Sequence, residues 1–168
     1  MATLLNIFIF IIGLYLQTDF LSRFNILGLE PNLLLVIVIA FALYGKAYEA
    51  YAYAFAAGLV MDTLFGGPYG YHITFFMAIV FAASLISKGE GQNAPNILSF
   101  VFATIAVLLF YVVLFLIVGF GSENFTLSGG IFTLEQAGVT SFLAFLLLPQ
   151  AKKLFILERR LTDARRVR

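Results

Sequence analysis

Apolar residues run through this chain in long blocks separated by short polar or glycine-rich interruptions. A helix needs about 20 predominantly apolar residues to cross a hydrocarbon core ~30 Å thick. The first block covers about 3–20 and closes at a short wet segment marked by Asp19, Arg23 and Glu30. The second opens at Pro31-Asn32 and runs to about Tyr44. Proline suits that start because its missing N–H would have no intrahelical partner there. Gly45-Lys46 predicts a tight turn into a third helix over about 47–65, and GGPYG at 66–70 reads as a turn by its glycines and proline. A fourth helix is expected over about 71–87, ending at Lys88-Gly89-Glu90-Gly91. The fifth, about 95–119, is long enough to tilt or protrude. The polar segment GSENFTLSGG, 121–130, separates it from a sixth over about 132–150. The unbroken apolar part of the second helix, 33–44, is short, so a re-entrant hairpin of the second and third is the alternative to two spans. The expectation is an all-α polytopic membrane protein with six transmembrane helices in residues 1–151 and a basic tail over 152–168.

Composition narrows the class. Of 168 residues, 62% are hydrophobic and 11% charged, with a mean hydropathy of +1.01. A water-soluble domain of this size needs far more charge to cover its surface. Twenty Phe and eight Tyr, without Trp, suit lipid-facing surfaces and interface belts. The absence of cysteine excludes disulfides and thiolate metal sites, and a single histidine, His72, argues against a histidine-based one. The N-terminal stretch lacks the basic n-region and small-residue cleavage site of a signal peptide, and is read as an uncleaved first membrane helix.

Charge sets the expected orientation. Residues 152–168 hold seven cations, Lys152, Lys153, Arg159, Arg160, Arg165, Arg166 and Arg168, against two acids, a net +5; the other 151 residues hold three against seven, a net −4. Basic residues collect on the cytoplasmic side of membrane proteins, so the tail is expected inside. With six spans the N-terminus is inside too. Lys46 and Lys88 then fall inside, while Asp19, Glu30, Glu123 and Glu135 fall on or near the outer face, with Arg23 the exception.

The most informative stretch is the third helix with the turn after it. Ala50, Ala54, Gly58, Asp62, Gly66 and Gly70 recur at every fourth position, a spacing that keeps residues on one helical face. Small residues let membrane helices approach closely, so the stripe marks a tight contact, either inside the bundle or with another protein's helix. Asp62 is the one acid in the middle of an apolar run. Fifteen residues at ~1.5 Å each place it roughly 22 Å from the inner end of its helix. A carboxylate near there is unfavourable by roughly 2.5–3.5 kcal/mol, less near the interface, and needs a partner. The second helix begins on the same side, and its free N–H groups favour an anion. Asp62 is therefore expected to accept hydrogen bonds from that start or from Asn32. The rival reading is a proton or ion relay, which ordinarily needs several intramembrane ionisable groups.

The remaining features have plainer readings. His72 is expected as a polar interfacial anchor. Tyr44, Tyr48, Tyr51 and Tyr53 at the inner end, and Tyr69 and Tyr71 at the outer end, fit aromatic belts. In the tail, Leu154, Leu157, Leu161 and Ala164 share a face flanked by cations. That pattern suits an amphipathic helix on anionic lipid, a plain positive-inside anchor, or a docking surface for a cytoplasmic partner; nucleic acid is not expected. No Ser–His–acid set, paired carboxylates, metal-ligand spacing or phosphate loop is present, so neither enzyme activity nor a cofactor is expected.

The stretch 31–70 resembles the MreD family of rod shape-determining membrane proteins. Its signature is a Pro-Asn or Pro-Asp opening the second helix, followed about thirty residues later by G-x-x-x-D-x-x-x-G-x-x-x-G. Here these are Pro31-Asn32, then Gly58, Asp62, Gly66 and Gly70. The size, six-span layout and short basic tail match as well. The resemblance implies a non-catalytic member of the bacterial elongation machinery in the cytoplasmic (inner) membrane. Its implied partners are the single-span protein MreC and, through it, the RodA glycosyltransferase, its penicillin-binding transpeptidase partner and the MreB filament. It also implies a bundle similar to the substrate-binding S components of energy-coupling-factor vitamin transporters. Such a vitamin-binding subunit is the alternative reading. Against it, the first helix has one glycine and no small-x-x-x-small pair, and the outer polar set of Asn32, Asp62, His72 and Glu123 is thin.

Overall fold

The computed structural model describes residues 2–21, 29–64, 68–90, 96–119 and 126–166, with side chains at 6–18, 29–64, 68–85, 97–119 and 126–158. The described chain is all-helical. It comprises α1 (Ala2–Tyr15) with a π-helical extension (Leu16–Leu21), α2 (Leu33–Tyr44), α3 (Ala47–Leu64), α4 (Tyr71–Glu90), α5 (Asn96–Gly119) and α6 (Leu127–Arg166). Within α5 and α6, the segments Ile97–Gly119 and Leu127–Glu158 are each long and apolar enough to cross a membrane.

The core is organised around α2. Its sequence LLLVIVIAFALY offers no polar face, as suits a helix surrounded by other helices or by lipid. Leu34, Leu35, Val38 and Ile39 are wholly buried, and α2 packs against each of the other five helices. Twelve residues make it only about 18 Å long, so the short block that left the number of spans open is the centre of the bundle. The outer surfaces of α1, α5 and α6 carry exposed large apolar side chains, among them Phe8, Ile11, Ile105, Leu109, Phe142 and Phe145.

Two helix boundaries differ from expectation. Asn32 caps α2, its Oδ1 accepting from Leu35 N at 2.9 Å, so Pro31 precedes the cap instead of sitting in the first turn. The last helix starts at Leu127, five residues early, because Thr126 caps it: Gly129 N donates to the Thr126 hydroxyl at 3.2 Å. α6 then continues as one helix past Pro149 to Arg166, roughly 60 Å in all. The basic tail is thus continuous with the preceding helix. Leu154 and Leu157 on its expected apolar face are exposed, while Phe155 turns inward, edge-on to Phe41 at 5.2 Å.

The most extensive helix pairing is α3 with α4. Ala50, Ala54, Gly58 and Asp62 are all buried, so the small-residue stripe packs inside the bundle. Gly58 lies against backbone: a Cβ there would sit 2.5 Å from Ile73 Cα and 2.6 Å from Ile73 N. Backbone cannot rotate aside as a side chain can, so only glycine permits this approach. Gly58→Ala is expected to destabilise the bundle by about 1–3 kcal/mol in thermal denaturation of the detergent-solubilised chain. Gly138→Ala, where an added Cβ meets nothing within 4 Å, is expected to leave the transition unchanged or slightly raised.

Candidate functional site

The antiparallel succession of helices brings the ends of α1, α3 and α5 and the starts of α2, α4 and α6 to one end of the bundle. Two of those starts are buried, which raises an accounting question. The first N–H groups of a helix have no intrahelical acceptor, so each buried start needs one from elsewhere.

At the start of α4 the acceptor is Asp62, from the last turn of α3. Its Oδ1 accepts from His72 N at 3.1 Å and lies 2.8 Å from His72 Nδ1. Its Oδ2 accepts from Gly70 N at 3.0 Å and Ile73 N at 3.4 Å. Tyr71 N is taken by Pro68 O at 3.1 Å, and Thr74 N begins the helical ladder on Gly70 O at 3.0 Å. Gly70 has a φ of +88°, a left-handed conformation that glycine adopts without strain, and it brings no capping side chain. The carboxylate of the neighbouring helix therefore does what a Ser or Asp at that position ordinarily does, with its negative charge at the positive end of the helix dipole.

The start of α2 is closed differently. Asn32 caps its own helix, Leu33 N donates to Gln17 Oε1 at 2.6 Å, and Asn32 N donates to Thr140 Oγ1 at 3.2 Å. Thr140 is in turn 3.1 Å from the Tyr111 hydroxyl, and Gln136 Nε2 donates to Glu30 O at 3.3 Å. The expectation that Asp62 accepts from the start of α2 or from Asn32 is therefore corrected. The anion does sit on a helix start, but that of α4, because the short turn after α3 delivers α4 directly to the carboxylate. His72 is corrected as well. It is 5% exposed, packed near Tyr71, Phe76 and Phe110, and is the side-chain partner of Asp62 instead of an interfacial anchor. Tyr44, Tyr53 and Tyr71 are buried, which takes them out of any aromatic belt, while Tyr48 and Tyr69 are exposed.

Several members of these networks had no place in the sequence reading: Asn6, Gln17, Glu49, Tyr111, Gln136 and Thr140. At the opposite end of the bundle Glu49 is as buried as Asp62, at 4% and 5% exposed. It accepts from Asn6 Nδ2 at 3.0 Å and the Tyr48 hydroxyl at 3.1 Å, with Lys46 Nζ at 3.8 Å. Asp62 is thus not alone as an interior acid. The available signal was a polar side chain standing inside an apolar block, which ordinarily faces the bundle interior.

Of the other expected site residues, Pro31 is half-buried, Lys152 half-buried and Lys153 exposed. Arg159, Arg160, Arg165 and Arg166 continue α6 beyond the described side chains, and Gly66 and Arg168 lie outside the described residues. Among the described residues no group of three or more His, Asp or Glu gathers as a metal site. The Asp62–His72 pair has the acid–imidazole geometry of a hydrolytic triad, yet no described hydroxyl is bonded to His72 Nε2, and both carboxylate oxygens are engaged by backbone N–H groups. The pair is built to close a helix.

Between the starts of α2, α4 and α6 and the ends of α1, α3 and α5 lies a cavity of about 480 Å³, lined by Gln17, Asn32, His72, Tyr111 and Gln136 among others.

An all-helical bundle with two apolar helices of spanning length is the build of a membrane protein. The family model described as rod shape-determining protein MreD matches residues 1–157. The chain belongs to the MreD family, which supports a role in rod shape determination. No curated protein and no solved structure matches the chain.

Asp62→Ala, which leaves three backbone N–H groups without their acceptor, is expected to destabilise the bundle by at least about 3 kcal/mol. Asp62→Asn keeps one acceptor oxygen but turns an NH₂ toward a backbone donor, and should lose about 1–3 kcal/mol. Thermal denaturation in detergent reads both, and equal loss in the two variants would contradict the capping role.

Proposed function

We propose that this chain is a non-catalytic scaffold of the cell-elongation complex that spans the cytoplasmic membrane six times with both termini inside. It binds an MreC-like single-span protein and, with it, a RodA-like glycosyltransferase and a penicillin-binding transpeptidase of peptidoglycan synthesis, with the MreB filament joined indirectly. The observation that carries the reading is the MreD family match over residues 1–157. The geometry supports it in one respect: the starts of α2 and α4 are closed by side chains from other helices, which gives that end of the bundle a fixed shape. Pro31, Asn32, Gly58, Asp62, Gly66 and Gly70 fix that platform, and the partner's membrane helix and outer base rest on it. The cations Lys152, Lys153, Arg159, Arg160, Arg165, Arg166 and Arg168 hold the end of α6 against the anionic inner leaflet, each worth about 1 kcal/mol near the surface.

A second reading, the small-molecule-binding subunit of a vitamin transporter, is favoured by one observation, the cavity at this same end. Affinity purification of the tagged chain from its native cells separates the two. Co-purification of an MreC-like protein with wall synthases is expected. Recovery of an ATPase pair with a coupling membrane subunit would favour the transporter.

Orientation is open to a direct test because the chain has no cysteine. Tyr69→Cys, at a position 71% exposed, is expected to react with a membrane-impermeant maleimide in intact spheroplasts. Arg168→Cys is expected to react only after permeabilisation; labelling of Arg168→Cys from outside would overturn the topology.

A further inference from the structure

We infer that the 480 Å³ cavity holds the uncharged, hydroxyl-bearing head of a single lipid, whose chain lies in the groove between α5 and α6. This stands independently of the partner assignment.

The cavity is of ligand size, and its polar lining is incompletely satisfied. Gln17, Asn32 and His72 are 3%, 4% and 5% exposed, and each engages the protein at one end only. Gln17 Oε1 accepts from Leu33 N, Asn32 Oδ1 from Leu35 N, and His72 Nδ1 meets Asp62 Oδ1. Gln17 Nε2, Asn32 Nδ2 and His72 Nε2 have no partner among the described residues. These three atoms are not sealed in the interior but open onto the cavity, so its contents supply their bonds.

The chemistry of the free atoms selects the ligand. Two amide nitrogens donate. With Nδ1 turned to the Asp62 carboxylate, His72 presents Nε2 to the cavity. A hydroxyl both donates and accepts, so a glycerol or sugar head satisfies this set. Among the described residues no Lys or Arg lines the cavity, while Glu30 does, so there a phosphate or carboxylate head would meet a like charge and no cation. The far walls are apolar, with Phe110, Leu114, Val118 and Phe132. Phe115 and Thr133 are shared with the second groove, also about 480 Å³, formed with Val112, Leu127, Ile131 and Leu134 on the outside of the α5–α6 pair. A polar-floored cavity continuous with an exposed apolar groove fits an amphiphile better than a wholly water-soluble molecule.

The test reconstitutes the full chain in phosphatidylcholine nanodiscs with three photoactivatable probes of equal chain length: diacylglycerol, glucosyl-diacylglycerol and phosphatidic acid. Crosslinks are mapped by mass spectrometry. The uncharged probes are expected to label peptides of α5 and α6 around residues 112–136 and to be competed by their unlabelled forms. The stronger of the two identifies glycerol or sugar as the head. Thr133→Trp and, separately, Val118→Trp fill the cavity from α6 and from α5, and either is expected to lower that labelling about tenfold in protein whose thermal transition is unchanged. Equal labelling by phosphatidic acid, labels spread evenly around the bundle, or labelling indifferent to both tryptophans would overturn the proposal and leave a water-filled cavity. A water-soluble molecule retained through purification, with no lipid labelling, would overturn it in favour of the transporter reading.

Discussion

Buried helix starts are the constraint on which this bundle depends. Each start leaves backbone N–H groups without acceptors, and an unmet donor in an apolar interior is unfavourable by several kcal/mol. At α4 the solution is a single carboxylate from the preceding helix, which takes the Gly70, His72 and Ile73 N–H groups together with the His72 ring. The other features of this region follow from it. Gly70 must turn left-handed to present its N–H, Gly58 must lack a side chain for α4 to come close enough, and His72 must be buried to reach Asp62. The acid and its glycines form one mechanical unit.

The same end of the bundle also closes α2, with Gln17 and Thr140 contributed from the α1 extension and α6. α2 touches every other helix, so fixing its start fixes the relative positions of the elements around it. Polar bonds between helices are the means available where lipid removes the hydrophobic drive for association. The family to which the chain belongs determines rod shape, and a stiff platform suits that role.

Much of this was readable from the residues because membrane embedding simplifies the code. Block lengths located all six helices, and the period-four stripe identified the tightest helix contact. Asp62 stood out because a carboxylate inside an apolar run demands a partner. Which partner was not readable: the starts of α2 and α4 both offered free N–H groups at the same end, and the choice depended on the path of the turn after α3. His72 looked superficial because a lone histidine beside a turn carries no periodic signal. Gln17, Glu49 and Thr140 were passed over because a single polar residue in an apolar block shows neither its neighbour nor its depth. The early start of α6 was hidden by the glycines at 129–130, which read as loop until Thr126 is seen capping the helix.

Hydrogen exchange of the peptide spanning residues 64–76, followed by mass spectrometry in nanodiscs, tests the central constraint most directly. If Asp62 closes α4, the amides at Gly70, His72 and Ile73 are protected in the native chain. In Asp62→Ala they lose that protection first, ahead of the amides at the start of α2, which rely on Gln17, Asn32 and Thr140. Unchanged protection at 70–73 in Asp62→Ala would contradict the account, because it would mean that the start of α4 is closed by something other than the carboxylate.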